Sequence, residues 1–71
     1  MVLRRLPVES ASPFLGQTLV QAGIRDKYHC LVAGIEKPDG SLHVPNAQLP
    51  LEDGDVLWLV GEHADIDALM G

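Results

Sequence analysis

Two segments of this chain are apolar at successive positions, where a half-exposed strand would be apolar only at alternate ones. They are His29–Glu36, with Cys30-Leu31-Val32-Ala33-Gly34-Ile35 at its centre, and Val56-Leu57-Trp58-Leu59-Val60. A strand sends successive side chains to opposite faces. Leu31, Ala33 and Ile35 are therefore expected on one side and Cys30, Val32 and Gly34 on the other. In the second segment Val56, Trp58 and Val60 oppose Leu57 and Leu59. Strands apolar on both faces belong to a sheet covered on both sides. The chain has 71 residues, room for one small domain only, and a globule of that size hides only about 60% of its unfolded surface. Two short helices cover one face. Loops such as Pro45–Leu51, or a second copy of the chain, must cover the other. The small size favours the copy, so a homodimer is expected. Burying ~600 Å² of apolar surface per chain would contribute on the order of 15 kcal/mol before association costs.

The remaining elements follow from local signals. Val2–Glu9 is a strand that lies at a sheet edge or ends at Pro7, because Pro7 has no N–H to donate. Ser12-Pro13 opens a helix, with Leu15, Thr18, Leu19 and Ala22 as its stripe and Gly23 as a left-handed stop. Gly16 weakens its first turn, so Gln17 is the latest start. Lys37-Pro38-Asp39-Gly40 is a turn returning Ser41–Val44 antiparallel, and Glu52-Asp53-Gly54-Asp55 is a second turn. Pro45–Leu51, with two prolines, is irregular. Gly61 breaks the last strand. Asp65 and Asp67 sit in the first turn of a final helix whose stripe is Ile66, Leu69 and Met70. The order β-α-β-β-β-α describes one α+β domain, residues 1–71, with a small mixed or antiparallel sheet.

Composition excludes several classes of function. Five Lys and Arg against ten Asp and Glu give a net charge of −5, which argues against a nucleic-acid partner. Cys30 is the only cysteine, so there is no disulfide framework. The longest stretch without charged side chains, Ser10–Ile24, is polar and shorter than the roughly 20 residues of a membrane span. MVLRRLPVES lacks the apolar core of a signal peptide. A soluble cytoplasmic domain, cut from or tethered to something larger, is expected. His29, His43 and His63 have no metal-ligand spacing; His29 and His43 could meet across the hairpin, but only as two ligands. Cys30 reads as a small buried hydrophobe, and Asp53 and Asp55 read as residues of a solvated turn. No catalytic residue or metal site is assigned. Arg25 stands out in Ile24-Arg25-Asp26-Lys27-Tyr28: its guanidinium suits phosphate or carboxylate, beside a stacking face on Tyr28. Alternatively, Arg25 and Lys27 satisfy the carbonyls at the helix end or pair with Asp26. Arg4 and Arg5 read as solvated, or as contacts to anionic lipid if a membrane lies upstream.

The strings SPFLGQTL, AGIRDKYHCLVAGIE, HVP and LEDGDVLWLVGE, taken in order, resemble the TrkA C-terminal domain, also called RCK-C. The resemblance runs from Leu6 to Leu69. Its parts are Ser12-Pro13, Gly16, Ile24-Arg25, Pro45 and Gly54-Asp55 before a strand ending in Gly61. The variant with IRDKY, GIE and DVLWLVGE looks most like the copies that end bacterial Kef-type monovalent cation:proton antiporters. The resemblance implies a non-catalytic regulatory domain on the cytoplasmic side of the inner membrane, attached to a membrane-embedded transporter. It also implies dimerisation and a nucleotide or cyclic dinucleotide effector bound between two copies. Arg25 occupies the family's effector-binding arginine position, Val32 the aliphatic one and Pro45 the proline. Leu31 stands where cyclic di-AMP binders carry asparagine, which removes a polar contact to the base and counts against cyclic di-AMP. The alternative with the same fold is a purely structural dimerisation module without ligand.

Overall fold

The computed structural model describes residues 1–71. The elements are β1 (Val2–Pro7), α1 (Leu19–Ala22), β2 (Leu31–Glu36), β3 (Leu42–His43), β4 (Val56–Gly61) and α2 (His63–Met70), the expected order. They build one antiparallel sheet in the order β1-β4-β2-β3. Pro7 ends an edge strand, where its missing donor costs nothing. The two segments apolar at every position, β2 and β4, are the central pair.

One face of the sheet carries the core. Leu57 and Leu59 are fully buried there with Cys30, Val8, Ile24, Phe14, Leu51, Ala22, Ile66 and Leu69. Both helices and the segments before α1 and β4 cover this face. The other face has no cover: Leu3 and Leu31 remain 53% and 54% exposed and Leu42 68%, while Val56, Trp58 and Val60 are half-buried.

Several local expectations need correction. The helix does not begin at Ser12-Pro13 or at Gln17. Ser12 Oγ accepts from the Phe14 N–H at 3.2 Å, but this serves only a turn, because Gly16 takes a φ of +80° and leaves the helical path. The helix restarts at Thr18, whose hydroxyl accepts from Gln21 N while the Gln21 side chain accepts from Thr18 N, a reciprocal capping box. Gly23 ends it at φ 71°, as expected. In β2 the strict alternation fails. Val32 pairs with Leu59 and Gly34 with the adjacent Trp58, so Ala33 is bulged out and the facing of the residues beyond it is reversed. Val32 and Ile35 thus share the core face, and Leu31 and Gly34 the open one. Gly61 ends β4, as expected; a Cβ there would lie 3.0 Å from Cys30 Sγ. Met70 leaves the stripe of α2 and is 45% exposed, whereas Ile66 and Leu69 are buried. Asp65 lies in the first turn of α2, and Asp67 instead meets His63 Nδ1 one turn back at 3.1 Å.

Both turns hold. Gly40 N donates to Lys37 O at 2.9 Å. Asp39 Oδ1 accepts from the Ser41 hydroxyl and N–H, and those two bonds hold the Asp39 carboxyl below its ordinary range. In the second turn Asp55 is not solvated: it is 2% exposed. Its Oδ2 accepts from Glu52 N at 3.0 Å, and its Oδ1 faces the Lys37 ammonium at 2.7 Å. A buried carboxylate persists only with such a partner, and this one arrives from the end of β2.

Candidate functional site

The loop from Ile24 to Cys30 turns the chain from α1 into β2. Lys27 N donates to Gly23 O at 2.7 Å and His29 N to Arg25 O at 3.1 Å, so the backbone of this loop is largely satisfied from within. His29 closes it in the left-handed region at φ 58°, a conformation that costs a residue with a Cβ. Cys30 N then reaches back to Ile24 O at 3.1 Å. The loop and α1 form one wall of a cavity of about 330 Å³, β2 forms its base, and the segment after β3 forms the opposite wall.

Arg25, Leu31, Val32 and Pro45, widely spaced in sequence, all line this cavity. Its other walls are apolar (Leu19, Val20, Ile24 and Ala47), with Cys30 at the base and Asp26 beside Arg25. Arg25 is exposed and takes part in none of the chain's ion pairs, so it is not neutralised by Asp26. Lys27 behaves differently, its aliphatic stem folding back over Gly23. Cys30 is wholly buried and its Sγ–H donates to Tyr28 O at 3.4 Å. Burial, with the Asp65 carboxylate nearby, pushes its thiol pKa up, away from the reactive thiolate. The site offers one unpaired planar cation over an apolar floor, which suits an anionic ligand with a flat or aliphatic body.

Its lining is partly open, with Val20 at 66% and Leu31 at 54% exposure. No three His, Cys, Asp or Glu side chains come together as a metal set. His43 Nε2 lies 2.8 Å from Ser41 Oγ. No helix is long and apolar enough to cross a membrane. The Lys37–Asp55 pair borders a second cavity of about 350 Å³. Residue spacing did not suggest that pair. The only signal was a lysine at one turn and an aspartate at another, eighteen positions apart.

Comparison with known proteins agrees with this architecture. A family model described as the TrkA-C domain matches residues 3–70. A Glaesserella parasuis (serovar 5, strain SH0165) protein named "Putative transport protein" is 38% identical over 55 residues; these are 78% of this chain but 10% of that protein. Among solved structures, the GsuK RCK domain superposes with a TM-score of 0.88 at 31% identity, over 96% of this chain and 14% of that one. The RCK C domain of the potassium transport protein KtrA, in complex with cyclic di-AMP, gives 0.84 at 25% identity, over 96% and 78%. The RCK_C domain dimer of Streptococcus agalactiae BusR, also with cyclic di-AMP, gives 0.76 at 22% identity, over 99% and 91%; at that identity it speaks for the fold alone. The family model spans nearly the whole chain, and the sheet, caps and cavity wall occur where its motifs lie: the chain belongs to the TrkA-C (RCK-C) domain family.

Proposed function

We propose that this domain is a non-catalytic regulatory module of a potassium or monovalent cation transport protein, a cation:proton antiporter of the Kef type. In this reading it works as a homodimer on the cytoplasmic side of the membrane and senses a small anionic effector, with no nucleic-acid partner. The observation that carries this is the convergence of Arg25, Leu31, Val32 and Pro45 on one cavity, with the Arg25 guanidinium unpaired. The exposed Val20 and Leu31 in its lining support a second copy closing the cavity, so that one effector meets two arginines. Regulation then follows from linkage: an effector that binds one dimer arrangement more tightly shifts the attached transporter by that difference.

Thermal-shift and calorimetric titration with ATP, NAD and cyclic dinucleotides test the proposal. A ligand-specific rise in melting temperature, lost in Arg25→Ala while the unliganded fold is retained, is the expected result. No response to any of these nucleotides, with a dimer still present, would instead favour the ligand-free dimerisation module.

A further inference from the structure

The open face of the sheet is not random surface. Strand register arranges it in rows across β1, β4 and β2. Leu3, Val60 and Leu31 form the first row, Arg5, Trp58 and Gly34 the second, and Pro7, Val56 and Glu36 the third, with Leu42 beyond Glu36 on β3. Arg5 lies over the Trp58 ring, 5.3 Å from its centroid, and meets Glu36 Oε2 at 3.4 Å. Trp58 Nε1 donates to the other oxygen of Glu36 at 3.3 Å. One cation and one anion thus flank a central tryptophan, with leucines at both ends of the patch. None of these residues lines the effector cavity except Leu31, which stands at the corner between the two surfaces.

We infer that this face is a second self-association surface, on which two copies of the domain stack sheet to sheet. The occupant follows from the symmetry of the rows. A two-fold axis parallel to β4, midway between two stacked sheets, exchanges the β1 side with the β2 side and leaves each row in place. Val60 then opposes its own counterpart, and Leu3 opposes the partner's Leu31. Arg5 opposes the partner's Gly34, which has no side chain of its own and is buried beneath Leu42. Leu42, whose Cδ1 would lie 3.1 Å from a Cβ at Gly34, gives the guanidinium an apolar surface to lie on, and the partner's Glu36 stands one row away. The guanidinium therefore exchanges its own Glu36 for the partner's, and no charge is buried alone. The exchange is easy, because the internal pair is long and its side chains are 52% and 30% exposed, a geometry that stabilises little. Aligned sheets pack about 10 Å apart in this way. Three strands of six residues present roughly 300 Å² of projected area, well below the ~800 Å² per partner of a standard stable interface. The contact is weak alone and gains strength where copies are already held together. It does not depend on any effector.

The test begins from Val20→Asp, which charges the cavity wall and leaves the open face intact. Sedimentation equilibrium should show weak self-association of this background protein. Arg5→Glu places like charges across the two-fold, and so does Glu36→Arg. Each alone should weaken association about tenfold, with circular dichroism unchanged, and Leu3→Lys should do the same through the first row. An equimolar mixture of the two charge variants places Glu opposite Arg at both contacts and should restore the parental affinity. A fold defect cannot mimic that rescue. A background protein that stays monomeric at the highest soluble concentration, or a mixture no tighter than either variant, overturns the inference. Neither result bears on effector binding, which is read by ligand titration.

Discussion

Replacing Lys37 with methionine should destabilise the domain more than replacing Asp55 with asparagine, because the two ends of this ion pair are buried so differently. The Asp55 side chain is 3% exposed and that of Lys37 32%. Lys37→Met leaves a carboxylate inside the protein with only the Glu52 N–H for company. Removing the partner of a buried charge costs about 3–5 kcal/mol. Asp55→Asn keeps an oxygen for Glu52 N and leaves an ammonium that can turn to water, so the loss is one charge-assisted hydrogen bond, about 1.5–3 kcal/mol. Asp55→Ala also orphans the Glu52 N–H, adding about 1–3 kcal/mol. A domain of 71 residues holds only about 4–10 kcal/mol in total, so Lys37→Met should be partly unfolded at room temperature. Urea denaturation of the three variants measures the order directly. The pair also has a pH signature. The hydrogen bond to Asp55, aided by the charges of Asp55 and Glu52, raises the Lys37 pKa above its ordinary 10.5. Its stabilisation is therefore complete below 10.5 and fades as pH rises through the folded-state value. Wild type should lose stability in that alkaline window and Asp55→Asn should not. If Lys37→Met stays within about 0.5 kcal/mol of wild type, the range for an ordinary surface change, or if Asp55→Asn is the worse variant, the pair does not hold the two turns together. The same pair anchors the end of β2 and the turn after the Pro45–Leu51 segment, so its loss should also loosen the cavity lined by Val32 and Pro45.

Three other changes are open to test. His29→Gly removes the Cβ from a left-handed backbone and should raise stability by up to about 1 kcal/mol, whereas His29→Val should lower it; thermal melts separate the two. Gly61→Ala places a Cβ 3.0 Å from Cys30 Sγ and should cost about 1–3 kcal/mol. Cys30→Ala in that background should recover part of the loss, a coupling that a double-mutant cycle reads. Leu31→Asn restores the amide that the family's cyclic di-AMP binders carry and should strengthen cyclic di-AMP binding in calorimetric titration; unchanged affinity would mean that Leu31 is not what sets ligand preference.

The open sheet face bears directly on the expectation of a dimer. Leu3, Leu31 and Leu42 stay exposed in the single chain, and Pro45–Leu51 lies on the cavity and core side, where Leu51 N donates to Gln17 O at 2.8 Å. The single chain therefore leaves two apolar surfaces exposed, the cavity lining at Val20 and Leu31 and the sheet face, whereas the sequence pattern suggested one.

Much of the fold was legible in local chemistry. Positive-φ glycines mark Gly23, Gly40 and Gly54 because only a residue without a Cβ enters that region freely. Pro7 and the unbroken apolar runs sorted edge from central strands through donor count and hydropathy alone. Arg25 and Pro45 were recognisable from motif order. The bulge at Ala33, the shortened α1 and the pairing of Lys37 with Asp55 were not. Each depends on which segments meet across twelve or more intervening residues, or on how closely two backbones approach. A sequence states the preferences of each residue, but register and burial are settled by what the rest of the chain places beside it.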